Sequence, residues 1–264
     1  MEITLDTIRD IKIYQSKNGY RFSVDALLLY SFVNLPVVRK IADLGAGSGI
    51  IGLLLAKKYP RARVTLLELQ KGLVQLAERN VKLNHLEERV MVMEYDIRSM
   101  CGKGPAERAV AGGHYDVVVA NPPFRRPKTG RISPEMEKAI ARHEIAMTLP
   151  DLLSAARYLL RPKGRLFLIH HPGRLAELIA SLTETGMEMK RIRFVHSDAF
   201  SEAKMLLVET VKDGRAGLKV ERPLLLYGED KHYSDEVREL CSGGYEEHTT
   251  RHTENSSGKS TLPL

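Results

Sequence analysis

From about residue 38 to residue 212, short apolar runs alternate with amphipathic ones, and few folds accommodate that alternation. Strand-like runs fall at 40–44, 63–68, 90–94, 115–120 and 165–170, with two late ones near 191–196 and 204–211. Helical periodicity fills 49–58, 70–84, 135–146, 149–160 and 172–185. Strands that are apolar throughout need cover on both faces, and helices between them supply it, so the pattern predicts a mostly parallel sheet. The last two strands follow each other without a full helix, which predicts an antiparallel strand at one edge. The expectation is an α/β, Rossmann-like domain over residues 36–240, with a seven-stranded sheet and helices on both faces.

Three segments fall outside this rhythm. Ile11-Lys-Ile-Tyr14 and Tyr20-Arg-Phe22, split by the turn signal Lys17-Asn-Gly19, predict a hairpin. It leads into a helix over Val24–Val33 with Ser23 as its cap. Residues 101–113 are rich in glycine and read as a mobile loop. Residues 246–264 are polar, with almost no apolar side chains, and read as a disordered tail.

At 43% hydrophobic, the 264-residue chain has material for a sizeable core. Its two cysteines, Cys101 and Cys241, are too few for a disulfide framework and suit a reducing cytoplasm. The first residues show no basic segment followed by an apolar run, so no secretion signal is expected. Apolar stretches such as Ile50–Ala56 fall far short of the roughly 20 residues of a membrane helix. The formal charge of +7 favours partners with phosphate backbones, because each cation meeting a phosphate releases counterions.

The first strand of the alternating region ends in Asp43-Leu-Gly-Ala-Gly-Ser-Gly49 and runs straight into a helix. Gly45, Gly47 and Gly49, with Ala46 among them, let the backbone turn tightly and approach a ligand. The helix start offers unpaired N–H groups at the edge where open α/β sheets bind ligands. Gly47, Gly49 and Gly52 also satisfy the dinucleotide pattern G-x-G-x-x-G, which taken alone is weak. Asp43 counts against a pyrophosphate and suits a cofactor with a cationic amino-acid moiety. Glu68 closes the second strand, where a carboxylate can accept both ribose hydroxyls of an adenosine, with Leu69 beside it. Asp96 follows the third strand and can accept from an adenine amine, with Ile97 beside the ring.

Asn121-Pro-Pro-Phe124 comes directly after the strand ending at Ala120. Two prolines stop the strand and stiffen the turn. The Asn121 side-chain oxygen and the Pro122 carbonyl can together accept both hydrogens of an sp² amine. The lone pair of such an amine is delocalised into its ring; accepting both hydrogens turns the nitrogen towards sp³ and frees it to attack a sulfonium methyl. Positioning and electrostatics then supply the acceleration. Phe124, beyond Pro123, offers a face for a splayed-out base. Arg125, Arg126, Lys128 and Arg131 crowd the next stretch, where phosphate contact is expected. His143, His170, His171 and His196 lack metal-ligand spacing, so no metal is expected.

These motifs are similar to those of class I methyltransferases. The chain resembles the bacterial tRNA1(Val) adenine-37 N6-methyltransferase family over most of residues 5–240. The likeness extends to Gln15–Asp25, to Ala141-Arg-His-Glu144, to Gly164–Arg174 and to Arg193-Phe-Val-His196. It implies S-adenosylmethionine as cofactor, a pocket covered by residues 1–35 around Tyr20, Ser23 and Asp25, and Asn121–Phe124 as the catalytic turn. Asn121 also borders the cofactor, and Arg142 joins the RNA-facing cations. The family more often has Tyr where this chain has Phe124, and Asn-Pro-Pro-Phe also occurs in guanine N2 methyltransferases of ribosomal RNA. A protein glutamine methyltransferase poses the same lone-pair problem, and a non-catalytic RNA-binding module is a third alternative.

Overall fold

The computed structural model describes residues 3–16, 24–101, 110–122 and 148–241. In chain order its strands are β1 (Ile3–Ile8), β2 (Ile11–Ser16), β3 (Lys40–Leu44), β4 (Arg63–Glu68), β5 (Val90–Glu94), β6 (Tyr115–Ala120), β7 (Leu160–His170), β8 (Met187–His196), β9 (Ala203–Lys212), β10 (Lys219–Val220) and β11 (Leu224–Leu225). The helices are α1 (Val24–Phe32), α2 (Ile50–Lys58), α3 (Lys71–Leu83), α4 (Leu149–Leu159), α5 (Leu175–Glu184) and α6 (Asp235–Cys241). The four strands expected at 40–44, 63–68, 90–94 and 115–120 form with those same ends. The expected helix at 135–146, most of the loop at 101–113 and the tail at 246–264 lie outside the described residues.

The main sheet runs β10-β8-β9-β7-β6-β3-β4-β5, with β11 also pairing with β8. Its seven long strands are those expected, and β10 and β11 add two residues each. The antiparallel strand is β9, and it is not at the edge: it lies between β7 and β8 and is antiparallel to both. The absence of a helix between β8 and β9 correctly signals a reversal, but a two-strand reversal fits an interior slot equally well.

Strand residues alternate between two cores, as the pleat dictates. Val117, Val119 and Phe167 face one core with α1, α2, α3 and α6. Val118, Ala120, Leu166 and Leu168 face the other with α4 and α5. Helix α2 is buried from Ile50 to Ala56, which accounts for its nearly unbroken apolar sequence. Helix α4 opens with a capping box in which Thr148 accepts from the Asp151 N–H and Asp151 accepts from the Thr148 N–H.

The described N-terminal hairpin is one that the sequence did not announce. β2 contains Ile11–Tyr14 but pairs backwards with β1 through the two-residue turn Arg9-Asp10. Arg9 holds φ at 50°, a left-handed conformation that Asn or Gly signals more plainly than Arg. The expected partner segment Tyr20–Phe22 and the turn at 17–19 lie outside the described residues.

Candidate active site at the carboxyl edge

The pairing register sets the level of every candidate residue. Leu44 is opposite Leu67 of β4 on one side and Ala120 of β6 on the other. The residues that follow, Gly45, Glu68 and Asn121, therefore stand at one level along the carboxyl edge, with Gly45 in the middle and the other two about one strand spacing of 4.8 Å to either side. Chain connections diverge here. β3 leads through α2 to β4, whereas β6 leads towards β7 with α4 on the opposite face, so the crevice between β3 and β6 is the topological switch point.

The Gly-rich turn is built by backbone conformation. Gly45, Gly47 and Gly49 hold φ at 70°, 58° and 88°, a region costly for other L-residues. A Cβ on Gly45 or Gly47 would meet nothing within 4 Å. Space is open beside both, as a ligand cradle requires. Gly52 has a different reason: a Cβ there would lie 2.2 Å from Leu66 Cδ2, so this glycine lets α2 press onto β4.

Buried carboxylates hold the turn in place. Glu68, 4% exposed, accepts from the Gly47 N–H at 2.9 Å with Oε2 and from the Gln70 N–H at 2.8 Å with Oε1. The Gly45 and Ala46 N–H groups donate to the Leu67 carbonyl at 2.9 and 3.1 Å. Asp43, 1% exposed, accepts from the Gly52 N–H at 3.0 Å and so caps the third residue of α2 from the strand before it. Burial pushes its carboxyl up to about 7; the Gly52 hydrogen bond opposes this and the neighbouring Glu68 charge adds to it. Asp43 is thus aimed into the helix start.

The remaining candidates divide by position. Leu69 is 42% exposed, an apolar side chain left uncovered directly after Glu68. Asp96 accepts from the Arg98 backbone N–H and from its guanidinium, with Nη2 at 2.5 Å, and these hydrogen bonds hold its carboxyl below the ordinary value against a smaller effect of burial. Ile97 is buried in the core beneath α4. Asp25 is half-buried in the first turn of α1, the helix that packs on α2 and β7. Asn121 is half-buried and Pro122 buried at the end of β6. Tyr20, Ser23, Pro123, Phe124, Arg125, Arg126, Lys128, Arg131 and Arg142 lie outside the described residues. Residues that the sequence did not single out also serve the turn: Gln70 and, from α3, Asn80, whose side chain donates to the Ser48 carbonyl at 2.9 Å. An asparagine in the apolar stripe of Val74, Ala77 and Val81 was the available signal.

Among the described residues no group of three or more His, Cys, Asp or Glu is placed to hold a metal, and no helix is long and apolar enough to cross a membrane.

Comparison with known proteins gives one direction. The model of the methyltransferase small domain matches residues 23–185. A tRNA1(Val) (adenine(37)-N6)-methyltransferase of Tolumonas auensis is 27% identical over 240 residues, covering 90% of this chain and 95% of its own length. One of the same name from Porphyromonas gingivalis (strain ATCC 33277) is 30% identical over 213 residues, covering 79% of this chain and 81% of its own. The structure of an Agrobacterium tumefaciens protein described as a predicted O-methyltransferase aligns with a TM-score of 0.67 at 27% identity, over 84% of this chain and 98% of its own.

Proposed function

The chain belongs to the methyltransferase small domain family, and from that premise we propose that it moves the methyl group of S-adenosylmethionine to N6 of an adenine in tRNA. The observation that carries the reading is the common level of Gly45, Glu68 and Asn121 on the carboxyl edge. A donor lying over the Gly-rich turn would meet an acceptor amine held at the end of β6, one strand away.

The residues fit a cationic adenosyl donor better than a dinucleotide. Asp43 is buried just before the turn, where an acidic group suits a cationic moiety and is out of place beside a pyrophosphate; Glu68 suits either cofactor. The open space at Gly45 and Gly47 receives the ligand's backbone-facing side. Glu68 keeps a lone pair on each oxygen for the ribose hydroxyls while holding Gly47 and Gln70. Leu69 covers an adenine face, and Asp96 reaches its amine by giving up part of its contact with Arg98. The segment of residues 1–35 covers this pocket.

S-adenosylmethionine supplies an electrophilic methyl group on a sulfonium. The protein's part is to make a poor nucleophile attack it. Asn121 Oδ1 and the Pro122 carbonyl accept the two hydrogens of the adenine amine, drawing its lone pair out of the ring and towards the donor. The proton leaves after transfer, so no strong base is needed. Phe124 stacks on the extruded base, and Arg125, Arg126, Lys128, Arg131 and Arg142 hold the RNA backbone. We assign adenine-37 of tRNA1(Val) as the target because the relatives that match over most of their length carry that specificity in their names.

The test is transfer of labelled methyl from S-adenosylmethionine to unmodified bacterial tRNA, followed by nucleoside mass spectrometry. N6-methyladenosine in a valine tRNA is expected. N2-methylguanosine, or label that appears only with ribosomal RNA or protein, would overturn the substrate and leave the methyltransferase.

A further inference from the structure

Two buried asparagines stand one turn apart at the end of α3, Asn80 in its last turns and Asn84 as its C-cap. Both address the backbone of β2. Asn80 Oδ1 accepts from the Tyr14 N–H at 2.7 Å, and its Nδ2 donates to the Tyr14 carbonyl at 3.0 Å. Asn84 Oδ1 accepts from the Lys12 N–H at 2.9 Å, and its Nδ2 donates to the Lys12 carbonyl at 2.7 Å. The spacings explain the match. Four helical residues rise about 6 Å, and two strand residues about 6.8 Å, so side-chain amides at i and i+4 meet every second residue of a strand. The helix thereby presents a short imitation strand to the outer edge of the hairpin.

Asn80 does one thing that Asn84 does not. Its second N–H reaches across to the Ser48 carbonyl at 2.9 Å, inside the Gly-rich turn. Ser48 lies between Gly47 and Gly49, both at positive φ, and the Gly47 N–H is held by Glu68. Glu68 therefore grips one side of this turn and Asn80 the other. Asn80 is 0% exposed, and each of its polar atoms is engaged.

We propose that Asn80 is a positioning residue for the cofactor turn, joining the N-terminal hairpin and the Gly47–Gly49 backbone into one unit whose shape sets the affinity for the methyl donor. With Asn80 lost, the turn keeps its grip at Gly47 but not at Ser48, and a glycine-rich backbone samples other conformations that the donor must then order. The hairpin is anchored by Asn84 in either case. The affinity part of this inference rests on the methyl-donor reading above; the coupling of hairpin and turn does not.

The experiment compares Asn80→Ala with Asn84→Ala in the full chain. Each removes two hydrogen bonds to β2, so general loosening of the hairpin is matched. Amide hydrogen exchange at Gly47–Gly49 should quicken about ten-fold or more in Asn80→Ala and stay near wild type in Asn84→Ala. The Kd for S-adenosylhomocysteine, measured by calorimetry, should rise about ten-fold in Asn80→Ala and less than two-fold in Asn84→Ala, and KM for the donor should rise with kcat little changed. Equal effects of the two variants, or unchanged exchange at the turn in Asn80→Ala, overturn the proposal. Wild-type protein that fails to bind the probe overturns the donor reading, while the exchange comparison still decides the coupling. If Asn80→Ala does not fold, Asn80→Asp keeps the shape and the acceptor for Tyr14, has at most one proton for two carbonyls, and should show the same exchange pattern.

Discussion

At the carboxyl edge of the sheet Asp43 accepts the Gly52 N–H while buried, with another carboxylate, Glu68, as a charged neighbour. At the amino edge Asp116 does a similar task, accepting the Arg39 and Lys40 N–H groups at 2.7 and 3.0 Å, with Arg161 paired to it at 2.6 Å. Burial outweighs the hydrogen bond in the first case and pushes the carboxyl up to about 7. In the second, burial also acts, but the Arg161 contact and the two N–H groups overcome it and hold the carboxyl below its ordinary value. At one edge burial disfavours the charged carboxylate; at the other an arginine and two N–H groups favour it. Concave shape misses this distinction. Clefts of about 510 and 230 Å³ open at the amino edge, yet Arg157 and Lys212 in the first spend their donors on Gly186, Asp213, Arg157 and Leu160 within the protein.

The comparison breaks most visibly at the reacting end. Asn121→Ala should lower kcat by about two orders of magnitude or more while donor affinity stays within about two-fold, measured by single-turnover transfer and calorimetry. Unchanged turnover would remove the amine-holding role.

Stability against pH comes next. Asp43 takes up a proton on folding between its ordinary value of 3.8 and about 7, so the stability linked to it is fully present below 3.8 and is lost as pH rises through about 7. Urea denaturation should show Asp43→Asn losing on the order of 2 kcal/mol less than wild type between pH 5 and pH 8. Parallel profiles would mean that Asp43 does not titrate there.

Glu68→Gln should raise the donor Kd by about ten-fold, because an amide offers one acceptor where the carboxylate offers two. The smallest effect belongs to the amino edge. Asp116→Asn should cost below about 1 kcal/mol and leave donor affinity unchanged, and the stability it removes is present above pH 3.8 and lost as pH falls through the lowered value. A change in donor affinity there would show that the two edges are not independent.

Much of this was readable from residue types because local and global preferences agree. Buried parallel strands are largely apolar, which fixes the ends of β3, β4 and β6, and β5 at the sheet edge is an apolar run that is only partly buried. Glycines at positive φ and Asn-Pro-Pro at a strand end mark the candidate site by conformational need. Asn18-Gly19 has the usual chemistry of a tight turn and lies outside the described residues, while the turn before β2 puts Arg9 in a conformation its residue type does not announce. The imitation strand was missed for a related reason: Asn80 and Asn84 have their partners 66 and 72 residues away, and no local pattern reveals such pairing.

The interior place of β9 has a consequence for how the chain comes together during synthesis. The Gly-rich turn, Glu68 and Asn121 all belong to the first half of the chain, and their strands can pair as soon as β6 is complete. β7 and β8 flank β9 and cannot finish the sheet between themselves, so the flank of β7 stays unpaired until Ala203–Lys212 emerges and slots in. A ribosome stalled before residue 203 would therefore display a chain whose proposed reaction centre is assembled on an unfinished sheet, with an open backbone edge exposed to any passing strand.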